Sequence, residues 1–359
     1  MPRLKRLADQ VMVITGASSG IGLVTARMAA KRGAKLVLVA RAEPALQTLT
    51  EELTAAGTDA IYVKADVGVE SQVRNVRDEA VKHFGGFDTW VNNAAVSIYG
   101  KLIDVSLEDQ RRLFDTNYWG VVYGSILAAD HLALKGGAII NIGSTLSDRA
   151  IPIQGTYSAS KHAIKGFTDA LRMELEHDGS PVAVTLIKPA AINTPYTAHA
   201  RNYLPSEPNV PPPVYSPSIV GEAILYAAEH PVRDLFVGGG AKALSMAGYY
   251  APNLTDKVME RQMVSAQQKQ QPEKHSYEQH NALYYPSGEL QETGDYNGHV
   301  AKSSIYTKAR LHPRITAGSL AFLATALGYA LLRRTSSASN DASSYDASSN
   351  EPESLAKGQ

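Results

Sequence analysis

An α/β protein built on a doubly wound parallel sheet, with helices on both faces, is predicted by three features of this 359-residue chain. Short apolar runs alternate with stretches long enough for helices, which is the pattern of strand and crossover in a parallel sheet. A glycine-rich turn follows the first run, Thr15-Gly16-Ala17-Ser18-Ser19-Gly20-Ile21-Gly22. Polar residues, Asn92 and Ser144 among them, fall where later strands end. Sheets of this kind bind ligands at the carboxyl ends of their strands.

The first strand is Val11-Met12-Val13-Ile14, unbroken, apolar and β-branched, as suits burial on both faces. In the turn after it, Gly16 permits the bend, Gly20 lets backbone N–H groups approach a pyrophosphate, and Gly22 lets the next helix pack closely. That helix is the amphipathic run Leu23 to Arg32, whose positive N-terminal end faces the anion. The spacing is G-x-x-x-G-x-G and not the commoner G-x-G-x-x-G. Gly16 to Gly20 also satisfies G-x-S-x-G, the nucleophile elbow of hydrolases, with Ser18 as nucleophile. Such an elbow belongs on an inner strand well into a domain, and here it follows the first.

The second strand, Leu36-Val37-Leu38-Val39, is followed by Ala40-Arg41. A carboxylate at that place binds the two adenosine-ribose hydroxyls and repels a 2′-phosphate; none is present. Arg41 offers a guanidinium fork that pairs with phosphate, so NADP(H) is expected over NAD(H), a solvated surface charge being the alternative. Further strands are expected at Ile61 to Ala65, Thr89 to Asn92, Ala138 to Ile142 and Val182 to Ile187.

Tyr157 and Lys161 lie four residues apart in Tyr-Ser-Ala-Ser-Lys and so share a helix face, with Ser144 thirteen residues earlier. A free tyrosine, with a pKa of about 10, is too weak an acid near neutral pH. A fixed cation beside it pulls that value down, so the pair reads as a tuned acid/base. For Tyr-x-x-x-Lys alone, a solvated helix face is the plain alternative.

With these motifs in order, residues 7 to 250 resemble the short-chain dehydrogenase/reductase family, which implies a Rossmann-like fold and hydride exchange with a nicotinamide coenzyme. Asn92-Asn93-Ala94-Ala95 is similar to the family's Asn-Asn-Ala-Gly, Asp66-Val67 to the pair near the adenine, and Thr194 to the threonine near the carboxamide. Asn117 falls where the family keeps its fourth catalytic residue. Lys188-Pro189-Ala190 departs from the usual Pro-Gly. The resemblance implies Tyr157 as acid, Ser144 as hydrogen-bond donor to the reacting oxygen, Lys161 holding the ribose and lowering the tyrosine pKa, and Asn117 orienting a water that links Lys161 to solvent. It also implies coenzyme contacts from Gly16, Ser18, Ser19, Gly20, Ile21, Gly22, Arg41, Asp66, Val67, Asn93, Tyr157, Lys161, Pro189 and Thr194. Relatives assemble as dimers or tetramers, so a homo-oligomer is expected.

Asn193 to Ser218, with seven prolines, is too long for an ordinary connection. In the family this position carries the substrate lid, which makes Tyr196, Leu204 and Tyr215 candidate walls for an uncharged, fairly hydrophobic small molecule. Residues 251–314 are polar, with Gln-Gln-Lys-Gln-Gln at 267–271, and are expected to pack poorly and be partly helical at best. Ile315 to Leu332 is eighteen residues without a charge, about 27 Å long as a helix. A membrane anchor, an in-plane membrane helix or oligomer contact, and a buried helix are its three readings. The Ser-, Ala- and Asp-rich tail, 333–359, is expected to be disordered.

The chain has no cysteine, so disulfides and thiolate metal sites are excluded, and no H-x-x-x-H or H-E-x-x-H pattern suggests another metal site. With 35 basic and 35 acidic residues the net charge is zero, which gives no footing for nucleic acid. Met1 to Gln10 is too short and polar for a secretory signal, so a cytoplasmic catalytic domain is expected, with membrane association through 315–332. An alternative to the enzyme is a non-catalytic NADP(H)-binding redox sensor or scaffold acting through the C-terminal extension.

Overall fold

The computed structural model describes residues 2–272, 281–287, 290–313 and 315–318, with 321, 322 and 325. Seven strands form one parallel sheet: β1 (Val11–Thr15), β2 (Lys35–Ala40), β3 (Ala60–Lys64), β4 (Thr89–Asn92), β5 (Gly137–Ile142), β6 (Val182–Pro189) and β7 (Asp234–Val237). Their spatial order is β7-β6-β5-β4-β1-β2-β3, all pairs parallel. The six expected strands are present. The seventh is additional, since Leu235-Phe236-Val237 is a run of only three apolar residues.

Pleating sends alternate side chains to opposite faces. Val13, Val37, Val39 and Ile139 meet Val73, Val76 and Ala80 of α3 (Glu70–Phe84) and Leu127, Ala128 and Leu132 of α5 (Gly120–Leu132). Met12, Ile14, Leu36 and Leu38, fully buried, point the other way. There α1 (Gly20–Lys31) packs on α7 (Pro217–Glu229), with Gly221 close against Met28, Thr25 and Val24. The chain order reverses at β1, which has β2 on one side and β4 on the other, and this opens a crevice above their carboxyl ends.

Behind that crevice a buried polar network ties strands to helices. Asn92 Nδ2 donates to Asn141 Oδ1 at 2.8 Å and to Ser125 Oγ at 3.0 Å, and Asn141 Nδ2 donates to Thr168 Oγ1 at 3.0 Å. Each of these buried side chains has a partner, which is what makes such a network stabilising. It fixes α6 (Gly155–His177), the carrier of Tyr157 and Lys161, against β4 and β5.

The stretch expected to pack poorly instead makes specific pairings among its described residues. After α8 (Gly239–Tyr250) and α9 (Pro252–Ala266), Gln268–Pro272 pairs antiparallel with Ser206–Pro208 of the lid segment. Val300–Ala301 pairs with Val214–Tyr215, which in turn pairs with Ala191–Ile192. Gln267, Asn281 and Leu283 are buried, and the described residues up to Lys308 belong to one compact unit. Polar composition misleads here because such side chains find partners inside: Gln267 Nε2 donates to the Pro152 carbonyl at 3.0 Å, 115 residues away. The few described residues from Ala309 onward fall in a second unit, and among the described residues no helix is long and apolar enough to cross a membrane. Most of the 315–332 segment and all of 333–359 lie outside the described residues.

Candidate active site

The glycine turn and the end of β4 are stitched together. Asn93 Nδ2 donates to the Thr15 carbonyl at 2.9 Å, and Thr15 Oγ1 accepts from the Asn93 and Ala94 amides at 2.9 and 3.1 Å. Gly16 has a φ of 69°, in the left-handed region that favours glycine. A Cβ on Gly22 would stand 2.1 Å from the Gly16 carbonyl oxygen, so the turn closes onto α1 only without side chains there. The result is a narrow cradle of backbone at a helix N-terminus, which fits a pyrophosphate.

The cradle opens into a cleft of about 500 Å³ that runs across the carboxyl edge of the sheet. Gly16, Ser18, Ser19, Gly20 and Ile21 line it at the turn; Arg41, Asp66 and Val67 line one end; Asn93, Pro189 and Thr194 line its middle. Gly22 lies beneath the turn and off the wall. Ser144, Tyr157 and Lys161 line the cleft as well, so the expected coenzyme residues and the expected acid open onto one space.

Ser144 follows β5 and caps a short turn, its Oγ accepting from the Leu146 amide at 3.1 Å. Tyr157 sits near the start of α6, which the chain enters through Ile153 at φ 57°, an unusual conformation for a β-branched residue. Strain of this kind persists only where neighbours enforce it, and here the Ile153 carbonyl accepts from the Gly100 amide at 2.8 Å. Tyr157 and Lys161 are 8% and 2% exposed. The Lys161 ammonium donates to the Ile142 carbonyl at 2.8 Å and stands 5.5 Å from the centre of the Tyr157 ring.

The electrostatics differ from the expected tuning. Burial pushes the Tyr157 phenol up to about 12, against opposing hydrogen bonds with Tyr196 and Ser144. Burial also pulls Lys161 down to about 7. Both groups are driven toward neutrality by the same desolvation.

Asn117 lies just ahead of α5. It lies in a π-helical turn, Asp115–Trp119, fully buried, with Oδ1 accepting from the Val96 amide at 2.8 Å and Nδ2 donating to the Val96 carbonyl at 3.0 Å and Ser160 Oγ at 3.2 Å. Its side chain braces the Val96 loop and α6 and does not line the cleft. Of the three lid candidates, Tyr196 lines the cleft. Leu204 packs instead against Tyr99, Ile153 and Ala200, and Tyr215 is buried in the Val214–Tyr215 strand against Gly238. A lid residue's side is set by the strand pairings it makes, which Pro-rich sequence does not reveal.

Several lining residues went unanticipated. Leu146, Ile151, Leu244, Met259 and Met263 give the end beyond Tyr157 an apolar wall, two of them from α9. The signal was weak but present: Met259 and Met263 are four apart on one helix face, and Ala282-Leu283-Tyr284-Tyr285-Pro286 is an apolar island in a polar stretch. A buried relay joins this region to the acid. Tyr196 Oη donates to Gln154 Oε1 at 2.9 Å, and Gln154 Nε2 donates to Gln267 Oε1 at 2.6 Å.

A family model for short chain dehydrogenases matches residues 10–204. The chain belongs to the short-chain dehydrogenase family. It is 50% identical over 324 residues to the uncharacterized oxidoreductase YxnA of Bacillus subtilis, an alignment covering 89% of this chain and 90% of that one. Because that coverage leaves out about a tenth of this short-chain dehydrogenase, the likeness must reach past residue 250 into the extension. Among solved structures, it is similar to a short-chain dehydrogenase/reductase from Burkholderia phymatum in complex with NAD, with TM-score 0.63 and 27% identity over 71% of this chain and 96% of that one. It is also similar to an alcohol dehydrogenase from Thermococcus sibiricus complexed with 5-hydroxy-NADP, with TM-score 0.56 and 26% identity over 63% and 95%. This short-chain dehydrogenase is therefore an oxidoreductase that uses a nicotinamide coenzyme.

Proposed function

We propose that the chain is an NADP(H)-dependent oxidoreductase that interconverts an uncharged, largely apolar carbonyl compound and its secondary alcohol, with Tyr157 as the acid/base. The observation that carries this reading is the continuity of one cleft from the glycine cradle to a buried phenol in hydrogen-bond contact with the Ser144 hydroxyl. A nicotinamide dinucleotide held along the cradle supplies or accepts the hydride. Tyr157 gives its proton to the carbonyl oxygen in reduction and takes the alcohol proton in oxidation. Ser144 donates to the same oxygen as negative charge gathers there. Lys161, when protonated, favours the phenolate and so eases proton release. Asn117 acts at one remove, by bracing the loop and helix that position these groups.

The apolar wall of Leu146, Ile151, Met259 and Met263 supports an uncharged substrate, since a charged one entering it would lose hydration without a partner. The coenzyme choice rests on Arg41 at the end of β2. Arg41 and Arg112 face the single carboxylate of Asp66, which leaves one positive charge in surplus for a 2′-phosphate. Binding constants for NADPH and NADH in wild type and Arg41→Asp test this. The expected result is a loss of NADPH preference of ten- to a hundredfold, the scale of a charge-assisted hydrogen bond. An unchanged ratio removes the coenzyme assignment.

The sensor reading has one observation in its favour, the extension residues that meet Arg41 within the cleft. It is separated from the enzyme by turnover: tight NADPH binding with no turnover across a carbonyl panel favours the sensor.

A further inference from the structure

Arg41 is already engaged by the C-terminal extension. Its Nη2 donates to the Tyr285 carbonyl at 3.0 Å and to the Ala282 carbonyl, and its Nη1 donates to the Leu283 carbonyl at 3.4 Å. Three neutral acceptors thus stand where a phosphate is needed, on a guanidinium half-buried at the end of the cleft. Arg112 Nε donates to the same Leu283 carbonyl at 3.1 Å while its Nη2 pairs with Asp66. A further carbonyl of the extension, that of Gln291, accepts from the Gly20 amide at 2.8 Å.

We propose that the segment 281–287 and the 2′-phosphate of the coenzyme compete for the Arg41 guanidinium, so that these backbone carbonyls help set the discrimination between phosphorylated and unphosphorylated coenzyme. The inference rests on the NADP(H) reading and adds what Arg41 must release for that reading to operate. A guanidinium binds a phosphate dianion more strongly than neutral carbonyls, so the exchange runs toward phosphate. An unphosphorylated coenzyme has no 2′-phosphate to offer Arg41 and leaves its three carbonyl bonds in place. The selectivity observed is then the phosphate's gain less what the three carbonyls lose.

The exchange also has a distant consequence. The segment is fixed elsewhere: the Ala282 amide donates to the His199 carbonyl of the lid at 2.8 Å, and Tyr284 Oη donates to Asp109 at 2.7 Å. Ala282 lines the cleft, and Leu283 belongs to the apolar cluster that contains Tyr157 and Met259. Loosening the segment at Arg41 therefore alters the packing of the cluster that contains Tyr157 and Met259.

Hydrogen exchange on the full chain tests the competition without turnover. The probes are adenosine 2′,5′-bisphosphate and adenosine 5′-monophosphate, each at saturation. The reporting amides are Ala282, bonded to His199, and Leu283 and Tyr285, bonded to Asn281 Oδ1 and the Asn281 carbonyl. The bisphosphate is expected to speed exchange at these amides about tenfold, equivalent to losing about 1.4 kcal/mol of anchoring. The monophosphate is expected to leave them unchanged, and in Arg41→Gln the bisphosphate effect is expected to vanish. If the bisphosphate binds through Arg41 while these amides do not respond, or if both probes speed them equally, the competition is overturned and the coenzyme reading stands. If the bisphosphate binds no more tightly than the monophosphate, both fall.

Discussion

Lys161 and Tyr157, one helical turn apart, do not meet head to head: the ammonium donates to the Ile142 carbonyl 2.8 Å away and lies 5.5 Å from the centre of the phenol ring. The two side chains meet through the ring and not through a hydrogen bond, and burial drives both toward their neutral forms.

This burial makes stability depend on pH. Lys161 has its folded pKa pulled down to about 7, well below the value of about 10.4 for a free lysine. Between those two pH values the unfolded chain binds the extra proton, so stability rises as pH rises from about 7 to about 10 and is lowest below 7. The effect is on the order of a few kcal/mol. Thermal unfolding of the protein without coenzyme, compared with Lys161→Met across this range, is expected to show the rise in wild type alone. Parallel curves contradict it.

The cradle tolerates no side chain at Gly22. Gly22→Ala places a methyl 2.1 Å from the Gly16 carbonyl oxygen and 2.6 Å from Asn93 Nδ2, so the turn or α1 must shift. The expected cost is about 1–3 kcal/mol of stability together with loss of coenzyme binding. Denaturant unfolding and coenzyme titration check the two effects separately.

The relay from Tyr196 to Gln267 is expected to matter to rate. Tyr196→Phe removes a hydroxyl that contacts both Tyr157 and Gln154, worth about 1 kcal/mol, or about a fivefold fall in kcat/KM. Gln267→Leu leaves Gln154 Nε2 unpaired in a buried site and lowers stability by about 1–3 kcal/mol. An unaltered kcat/KM in Tyr196→Phe shows that the relay is structural only.

The apolar wall is expected to grade substrates by size. Met263→Trp fills part of the end beyond Tyr157 and lowers kcat/KM for bulky ketones about tenfold more than for small ones, with coenzyme affinity unchanged. A uniform change across the series contradicts the placement of the substrate there.

Much of this fold and site is legible in the residues. Val11 to Ile14 followed by the glycine turn locates β1, the cradle and the switch point, because a buried strand and a side-chain-free turn each leave a local mark. Tyr157, Ser144 and Lys161 stand out by their spacing. What escapes depends on partners distant in sequence. Gln267 looks solvated until Gln154, 113 residues away, is found to pair with it. Tyr215 and Leu204 read as cleft residues because composition marks a lid but not the face each side chain takes. The balance of charge at Tyr157 and Lys161 is misjudged from sequence because depth of burial, the larger influence, is a property of the assembled fold.

The central claim is that Tyr157 moves the proton while hydride passes at the same cleft. Its most direct test is turnover of a panel of uncharged, apolar ketones with NADPH by wild type and Tyr157→Phe, with NADPH affinity measured in both. The account predicts a fall in kcat of about 10²–10⁴ with coenzyme affinity retained. Equal turnover in the two proteins contradicts it, as does a wild type that binds NADPH tightly and reduces none of the panel.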